Sequence, residues 1–278
     1  MFTPKIIALD LDGTLFSRSG EVTPYTKEML LAARERGIAI VISSGRPFTG
    51  LPFDTAKELG IEYAITANGA GVYRIADKNC LHEDAMVSQT AAGLCNILHE
   101  KHLHLDAFIH GEAYTQNTSF EIIRHSVLPE SVKNYILTTR NQVPDLAAFI
   151  LENNFTLQKL SLTFEQEADG VFIDREDTKT YLLSRPDLNV VCGGFHNLEC
   201  TKAGVTKGTG LQFLCNYLNI PIEQSMACGD SENDLDILKA AGYSVAMENA
   251  EEEIKSVCDF VTASCDDDGV GRVIAKFL

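Results

Sequence analysis

Basic residues are scarce in this sequence. Its 278 residues include 23 Lys and Arg against 39 Asp and Glu, which gives a formal net charge of −16 at pH 7 and a sequence pI near 4.8. Duplex DNA and anionic membranes bind proteins through clustered Lys and Arg, so this charge argues against nucleic acid and membrane as partners. A small anionic substrate responds only to the charge around its own site, and that class stays open.

Long hydrophobic runs are missing as well. No apolar stretch approaches the roughly 20 residues that a membrane-spanning helix needs. The first residues, MFTPKIIALDLDGTLF, reach a carboxylate at Asp10 without the apolar stretch and small-residue cleavage site of a secretory signal. We therefore expect a soluble cytoplasmic protein, and no obligate protein partner is evident.

The eight cysteines are scattered and form no C-x-x-C pair. A disulfide-stabilised protein is usually short and rich in loops, whereas this chain is long enough for one large or two medium domains with a substantial core. The cysteines are therefore predicted to be free and mostly buried thiols.

The first and last thirds of the chain alternate short apolar runs with helical patterns. Residues 6–9 and 38–42 are two of the apolar runs, and between them Pro24 begins a helix that Gly37 ends. Continuous apolar strands between helices indicate a parallel sheet with both faces covered. The predicted fold class is therefore α/β, with a Rossmann-like parallel-sheet core.

The middle of the chain has a different pattern. Residues 108–114 have hairpin character and residues 157–164 alternate between apolar and polar side chains, which together with helical stretches predicts an α+β module. The expected organisation is a discontinuous core of residues 1–82 and 195–278, interrupted by an inserted domain of residues 83–194.

Polar clusters follow three of the apolar strands. They are Asp10 with Asp12, Ser44 with Gly45, and Asp230 with Asn233 and Asp234 just beyond it. A lone Asp after a strand is commonly a turn former, but ligands of an open parallel sheet bind outside the carboxyl ends of its strands. Three such clusters therefore predict one shared site.

The residue types at these strand ends suggest phosphoryl chemistry. Grouped carboxylates repel one another unless a cation is present, and oxygen ligands suit Mg²⁺. Asp10 and Asp12 are two apart, so both can reach one reacting centre, one as nucleophile and one as proton donor. A hydroxyl, loop amides and Lys207 suit the oxygens of a phosphoryl group. These residues predict Mg²⁺-dependent phosphoryl transfer through an aspartyl-phosphate.

The sequence resembles the haloacid dehalogenase superfamily at its four motifs. In chain order these are DLDGTL at residues 10–15, SGR at 44–46, Lys207, and GDSEND at 229–234. Residues 66–70 and 268–270 are similar to further features of the Cof-type sugar-phosphatase branch. The order and spacing of the first and fourth motifs make the resemblance specific.

The resemblance implies a role for each motif residue. Asp10 would be the nucleophile, and Asp12 would protonate the leaving oxygen and later activate water. The implied metal ligands are the Asp10 carboxylate, the Asp12 backbone carbonyl and Asp230, with Asp234 supporting the metal's waters. The implied phosphate-binding groups are Ser44, the Gly45 amide, Lys207 and Asn233. Ser44 stands where the motif usually carries Thr, and the hydroxyl is retained.

The position of the insertion also fits this branch. The chain between the first two strands has room for one helix, so the inserted domain resembles the α/β (C2-type) cap that follows the second motif. The resemblance then implies a phosphatase for a small phosphorylated metabolite, with a sugar phosphate expected. A phosphotransferase of the phosphomannomutase kind is the alternative, and it would need clustered basic residues in the cap. A phospho-acceptor regulator is a third and weaker interpretation.

Three further features of the sequence each allow more than one interpretation. Lys202 competes with Lys207 for the third motif and is predicted to be a surface lysine. Arg46 either touches substrate or pairs with a neighbouring acid. The histidines of the HEKHLH stretch at residues 99–104 are predicted to mark an exposed helix end rather than a metal site.

Overall fold

The structure, a computed structural model, describes residues 2–167, 169–193 and 196–278. Its strands are Ile6–Leu9 (β1), Ala39–Ser43 (β2), Tyr63–Thr66 (β3), Gly71–Arg74 (β4), Asn79–Glu83 (β5), Leu103–Ile109 (β6), Glu112–Gln116 (β7), Asn141–Val143 (β8), Lys159–Phe164 (β9), Leu188–Cys192 (β10), Leu198–Lys202 (β11), Ser225–Gly229 (β12), Tyr243–Ala246 (β13) and Phe260–Val261 (β14). Its helices are Pro24–Glu35 (α1), Phe53–Leu59 (α2), Ser88–His99 (α3), Phe120–His125 (α4), Glu130–Thr139 (α5), Leu146–Glu152 (α6), Arg175–Leu183 (α7), Lys207–Tyr217 (α8), Leu235–Ala240 (α9), Glu252–Ser256 (α10) and Gly269–Ala275 (α11).

The chain forms two compact units. The first, here called the core unit, comprises Met1–Arg46, Leu51–Glu83 and Thr206–Leu278. The second, the inserted unit, comprises Pro47–Gly50 and Asp84–Val205. The predicted domain boundary between residues 194 and 195 lies outside the described residues, and the division into core and cap domains stays a prediction.

The core unit is built on an eight-stranded sheet in the order β14-β13-β12-β1-β2-β3-β4-β5. The strands from β14 to β3 are parallel, and β4 and β5 add an antiparallel edge. All four residues of β1 are buried, as expected for a central strand with both faces covered. The α/β fold class predicted from the apolar runs is confirmed, and Pro24 and Gly37 bound α1 as predicted.

The inserted unit carries a six-stranded sheet in the order β10-β11-β9-β6-β7-β8. The predicted hairpin is β6 and β7, joined through His110 and Gly111, both with positive φ. One face of this sheet is apolar and packs with α3 and α6. Side chains of alternate residues point to the other face, where Asp106, Lys159 and Glu199 are buried.

The interpretation of the HEKHLH stretch as an exposed helix end is only partly correct. α3 ends at His99, which is exposed. His104, however, lies on β6, is 1% exposed, and its Nε2 is 2.8 Å from Asp106 Oδ1. β6 begins within this stretch because apolar residues recur at alternate positions from Leu103. The interpretation of the stretch as a helix end therefore placed His104 on the wrong element.

All eight cysteines are free thiols, and five of them are buried, in agreement with the prediction. Within residues 2–167, 169–193 and 196–278, none of the helices has both the length and the hydrophobicity needed to cross a bilayer.

Candidate active site

The candidate site lies at the carboxyl ends of the central parallel strands of the core unit. β12, β1 and β2 are neighbours, so the residues that follow them share one edge of the sheet. Asp10 follows β1 and its backbone N–H donates to the Cys228 carbonyl of β12. Ser44 follows β2 and Asp230 follows β12. The three polar clusters predicted from the sequence therefore follow adjacent strands and lie at the same edge of the sheet, as the parallel topology requires.

Lys207 is the centre of a buried charge cluster. It is fully buried, and its Nζ lies 2.8 Å from Asp10 Oδ1, 2.7 Å from Asp234 Oδ1 and 3.0 Å from Asn233 Oδ1. Burial disfavours the charged ammonium, but the charges of Asp10 and Asp234 more than offset this and raise the pKa of Lys207 above its ordinary value. Lys207 is therefore a fixed cation between two carboxylates.

The start of α8 places Lys207 there. Thr206 caps the helix, its side chain accepting from the backbone N–H of Thr209. Gly69 has a φ of 99°, and a Cβ on it would lie 1.9 Å from the Thr206 carbonyl oxygen. The turn at Asn68 and Gly69 thus packs directly on the helix start, and only a glycine permits that approach.

Asp234 is fully buried, and both of its carboxylate oxygens are engaged. Oδ1 accepts from Lys207, and Oδ2 accepts from the backbone N–H groups of Asp230 (3.1 Å) and Ser231 (3.2 Å). Its contacts therefore hold the loop after β12 and the lysine in one arrangement.

Asp230 receives a hydrogen bond from Thr14, whose Oγ1 lies 2.7 Å from Asp230 Oδ1. Burial, together with the charge of Asp234, raises the pKa of Asp230 to about 6. Burial also raises the pKa of Asp10 well above its ordinary value, although Lys207 acts in the opposite direction. The cluster therefore holds more carboxylate than its lysine can neutralise.

This donor set fits a divalent cation. One carboxylate oxygen from each of Asp10, Asp230 and Asp234 lies within 4.8 Å of the others. Both oxygens of Asp234 already accept hydrogen bonds, whereas Asp10 and Asp230 each use one oxygen in the contacts described above. All the donors are oxygens, the ligand type that Mg²⁺ prefers, and a cation would offset the burial that raises these pKa values.

Asp12 lies apart from the three grouped carboxylates. Its side chain is 68% exposed and forms a two-pronged ion pair with Arg46, whose Nη2 is 2.8 Å from Asp12 Oδ1 and whose Nε is 3.2 Å from Oδ2. The structure thus shows Arg46 paired with a neighbouring acid, one of the two roles considered for it.

The remaining predicted residues line the same strand ends. Ser44 is buried, and its Oγ accepts from the backbone N–H of Arg46 at 3.2 Å. Gly45 stands between them on the loop after β2. Asn233 contacts Lys207 and also Ser231, whose hydroxyl donates to Asn233 Oδ1 at 2.9 Å.

Lys202 is the other lysine considered for the third motif. It belongs to the inserted unit, is half exposed, and pairs with Asp84 at 2.6 Å. The interpretation of Lys202 as a surface lysine is confirmed.

Thr14 and Asn68 are contacts that the sequence analysis did not assign. Asn68 is buried with a φ of 56°, and its Oδ1 lies 3.5 Å from Asn233 Nδ2. Asn68 could have been identified because it is a polar residue that precedes a glycine at a strand end. Thr14 could have been identified because it supplies a hydroxyl within the first motif.

Comparison with known proteins agrees with this geometry. The sequence matches the family model of the haloacid dehalogenase-like hydrolases over residues 7–274. It is 30% identical to phosphatase YwpJ of Bacillus subtilis, covering 99% of this chain and 100% of that protein. It is 28% identical to pyridoxal phosphate phosphatase YbhA of Escherichia coli, covering 99% of each. A solved haloacid dehalogenase-like hydrolase from B. subtilis superposes with a TM-score of 0.84 at 28% identity, covering 99% of this chain and 100% of that one.

Proposed function

Because the chain belongs to the haloacid dehalogenase-like hydrolases and is a phosphatase of their Cof-type branch, we propose that it is a Mg²⁺-dependent phosphatase for a small phosphomonoester. We further propose that the reaction passes through an aspartyl-phosphate on Asp10, and that a sugar phosphate is the first substrate class to test. The observation that carries this proposal is the contact of Lys207 with both Asp10 and Asp234, beside Asp230.

Asp10 is the proposed nucleophile. One of its oxygens is held by Lys207, which leaves the other to attack phosphorus. The bond from that oxygen to phosphorus forms as the bond from phosphorus to the ester oxygen breaks. Asp12 donates a proton to the departing oxygen, so the leaving group departs as a neutral alcohol.

The second half of the reaction releases phosphate. Asp12, now a carboxylate, takes a proton from water, and the water oxygen attacks phosphorus as the bond to Asp10 breaks. Asp10 is thereby regenerated and inorganic phosphate is the second product. Asp12 acts as an acid only when it carries a proton, so this step requires that its ion pair with Arg46 be broken.

Lys207, Asn233, the Ser44 hydroxyl and the Gly45 amide are the proposed ligands of the phosphoryl oxygens. Mg²⁺ would be held by the carboxylates of Asp10 and Asp230 and the backbone carbonyl of Asp12, with Asp234 holding the surrounding loop. When bound, the ion would neutralise charge on the phosphoryl group and its nucleophile.

The inserted unit is proposed to act as the cap that selects the leaving group and excludes water from the reaction. The phosphotransferase alternative needs clustered cations in this unit. Six of its seven candidate cations pair with acids of the same unit: Arg124 with Glu121, Lys133 with Glu130, Arg140 with Asp106, Lys159 with Glu199, Arg175 with Glu176, and Arg185 with Asp187. The seventh, Lys179, lies on α7. No contact of these cations favours that alternative. We place the enzyme in the cytoplasm and expect a small phosphorylated metabolite as its partner.

The test is hydrolysis of p-nitrophenyl phosphate by wild type and by Asp10→Asn, with and without Mg²⁺. We expect turnover that requires Mg²⁺ and that falls at least about 1,000-fold in the variant. Asp266→Asn, which changes an exposed acid of the same unit, is the matched control and should keep wild-type turnover. Retained activity in Asp10→Asn would refute the assigned nucleophile. A panel of metabolite phosphates, with phosphate release and phosphoryl transfer measured separately, then identifies the substrate.

A further inference from the structure

The loop that follows β13 reaches back to the first motif through one side chain. Met247 donates its backbone N–H to the Gly229 carbonyl at the end of β12. Two residues later, Asn249 Nδ2 lies 2.8 Å from the Gly13 carbonyl oxygen. Asn249 therefore connects the end of β13 to the loop after β1, although β12 lies between these two strands in the sheet.

Both ends of the Asn249 amide are used. Its Oδ1 accepts from the backbone N–H of Cys265 at 3.0 Å. Because Gly13 offers an acceptor and Cys265 a donor, the partners determine which end of the amide is oxygen and which is nitrogen. Asn249 thus joins the first motif to the turn at Cys265–Asp267 that precedes α11.

The carbonyl that Asn249 holds belongs to the peptide that packs against Asp230. Gly13 has a φ of 84°, and a Cβ on it would lie 2.4 Å from Asp230 Oδ2. The same peptide continues into Thr14, which is 2% exposed and donates to Asp230 Oδ1 at 2.7 Å. Fixing the Gly13 carbonyl therefore fixes where the Thr14 hydroxyl meets Asp230.

We propose that Asn249 is a positioning residue for the cation site, acting on Asp230 through Gly13 and Thr14. Thr14 occupies Oδ1 of Asp230 and so leaves Oδ2 for the cation. Without Asn249, the loop after β1 loses its contact with the loop after β13, and Thr14 no longer restrains the Asp230 carboxylate in one rotamer. Groups that orient metal ligands in this way commonly change metal affinity by about 10- to 100-fold when removed.

The inference rests on the proposed function for the presence of a cation, but its test uses no substrate. The Mg²⁺ dissociation constant of the full chain is measured by titration calorimetry for wild type, Asn249→Ala and Thr14→Val, with the melting temperature of each. We expect about a 10-fold weaker constant for Asn249→Ala.

Asp266→Ala is the matched control. Asp266 Oδ1 accepts from the backbone N–H of Arg18 at 2.8 Å, so it links the same two segments, the loop after β1 and the turn before α11, away from Asp230. This variant should keep the wild-type dissociation constant. An equal loss of Mg²⁺ affinity in Asp266→Ala and Asn249→Ala would overturn the inference, because any link between the segments would then suffice.

The double variant Thr14→Val/Asn249→Ala tests the route. Since both residues act on one carboxylate, the double variant should bind Mg²⁺ no more weakly than the weaker single variant. The inference is overturned if the losses of the two single variants multiply in the double variant, or if Asn249→Ala binds Mg²⁺ with the dissociation constant of wild type. In either case the proposed function stands, because wild type itself still binds Mg²⁺. A wild type that binds no Mg²⁺ would overturn both.

Discussion

The buried Asp10 and Asp234 of the core unit share the ammonium of Lys207, with the carboxylate of Asp230 nearby, whereas the buried Asp106 of the inserted unit has both Arg140 and His104 beside it. Arg140 Nε lies 2.8 Å from Asp106 Oδ2, and His104 Nε2 lies 2.8 Å from Oδ1. We call His104, Asp106 and Arg140 the Asp106 cluster. The two groups are buried alike but differ in the charge around each carboxyl.

The pKa values record this difference. Burial raises the pKa of Asp10 and Asp230 in the core unit, and Lys207 does not reverse it. Burial acts in the same direction on Asp106, but Arg140 and His104 lower its pKa to about 2. The inserted unit therefore buries a carboxylate whose charge is balanced by its neighbours, which is a structural arrangement. The core unit buries an excess of negative charge, which is the arrangement that the proposed cation would neutralise.

The largest expected effect is that of Lys207→Met. This substitution removes the cation that Asp10 and Asp234 share, so we expect turnover to fall about 100- to 1,000-fold and the free energy of unfolding to fall by about 3 to 5 kcal/mol. Turnover of p-nitrophenyl phosphate and urea denaturation in a metal chelator measure the two effects. Lys202→Met, which breaks an exposed pair, should change stability by less than about 1 kcal/mol. Equal losses of stability in Lys207→Met and Lys202→Met would contradict the difference drawn between the buried and the exposed lysine.

Arg140→Met should lower stability without weakening the cation site. It leaves Asp106 buried beside His104 alone, and breaking a buried pair in this way costs about 3 kcal/mol. Urea denaturation checks the loss, and calorimetry should return the wild-type Mg²⁺ dissociation constant. The matched control is Arg124→Met, whose pair with Glu121 is exposed. If Arg140→Met has the same free energy of unfolding as Arg124→Met, the buried ion pair of Arg140 with Asp106 does not stabilise the protein.

Acid should remove the contribution of Asp106. Because its pKa is lowered in the folded state to about 2, its stabilising contribution of about 2 kcal/mol is complete above pH about 4 and is lost as the pH falls toward 2. Between pH 4.5 and 2.5, wild type should therefore lose more unfolding free energy than Asp106→Asn. Parallel losses in the two proteins would assign acid sensitivity to other groups.

The smallest change in stability, and one of opposite sign, is expected for Asp230→Asn. Its pKa is raised in the folded state to about 6, so its ionised form opposes folding at pH 7. A pKa raised by about two units corresponds to about 3 kcal/mol. Because Asp230 is only partly buried and solvent screens much of this repulsion, we expect the amide to stabilise the metal-free protein by about 1 kcal/mol at pH 7. The gain should be absent below pH about 4, where both states are protonated. The same variant should lose Mg²⁺ binding. A metal-free wild type more stable than Asp230→Asn at pH 7 would show that the core cluster is balanced without a cation.

Much of the core unit could be predicted because its signals are local. An apolar run that ends in Asp10, and another that ends in Ser44, identify strands and their carboxyl ends without knowledge of the fold. Parallel pairing then brings the two ends to one edge. Lys207 could be preferred to Lys202 because it opens a helix next to Thr206. The structure places Lys207 beside Asp10 and pairs the exposed Lys202 with Asp84.

Other contacts depend on residues far apart in the chain. The hydrogen bond from Thr14 to Asp230 spans 216 positions, and that from Asn249 to Gly13 spans 236. Neither side chain has a local pattern that names its partner. His104 was misassigned for a related reason. Its burial depends on Asp106 and on the sheet to which it belongs, and the helical periodicity of the sequence carries no information about either.

By itself, the sequence determined which segments form apolar strands, which loops follow them and which residue types those loops supply, because alternation, apolar runs and capping residues act over a few positions. Tertiary structure alone decided how the charges are shared. It placed Arg140 and His104 beside Asp106, gave Asp10 and Asp234 one lysine between them, paired Asp12 with Arg46, and set Thr14 against Asp230. Charge balance depends on distance and burial in three dimensions. An aspartate is therefore a balanced structural anion in the inserted unit, whereas in the core unit it belongs to a group of carboxylates that could hold a cation.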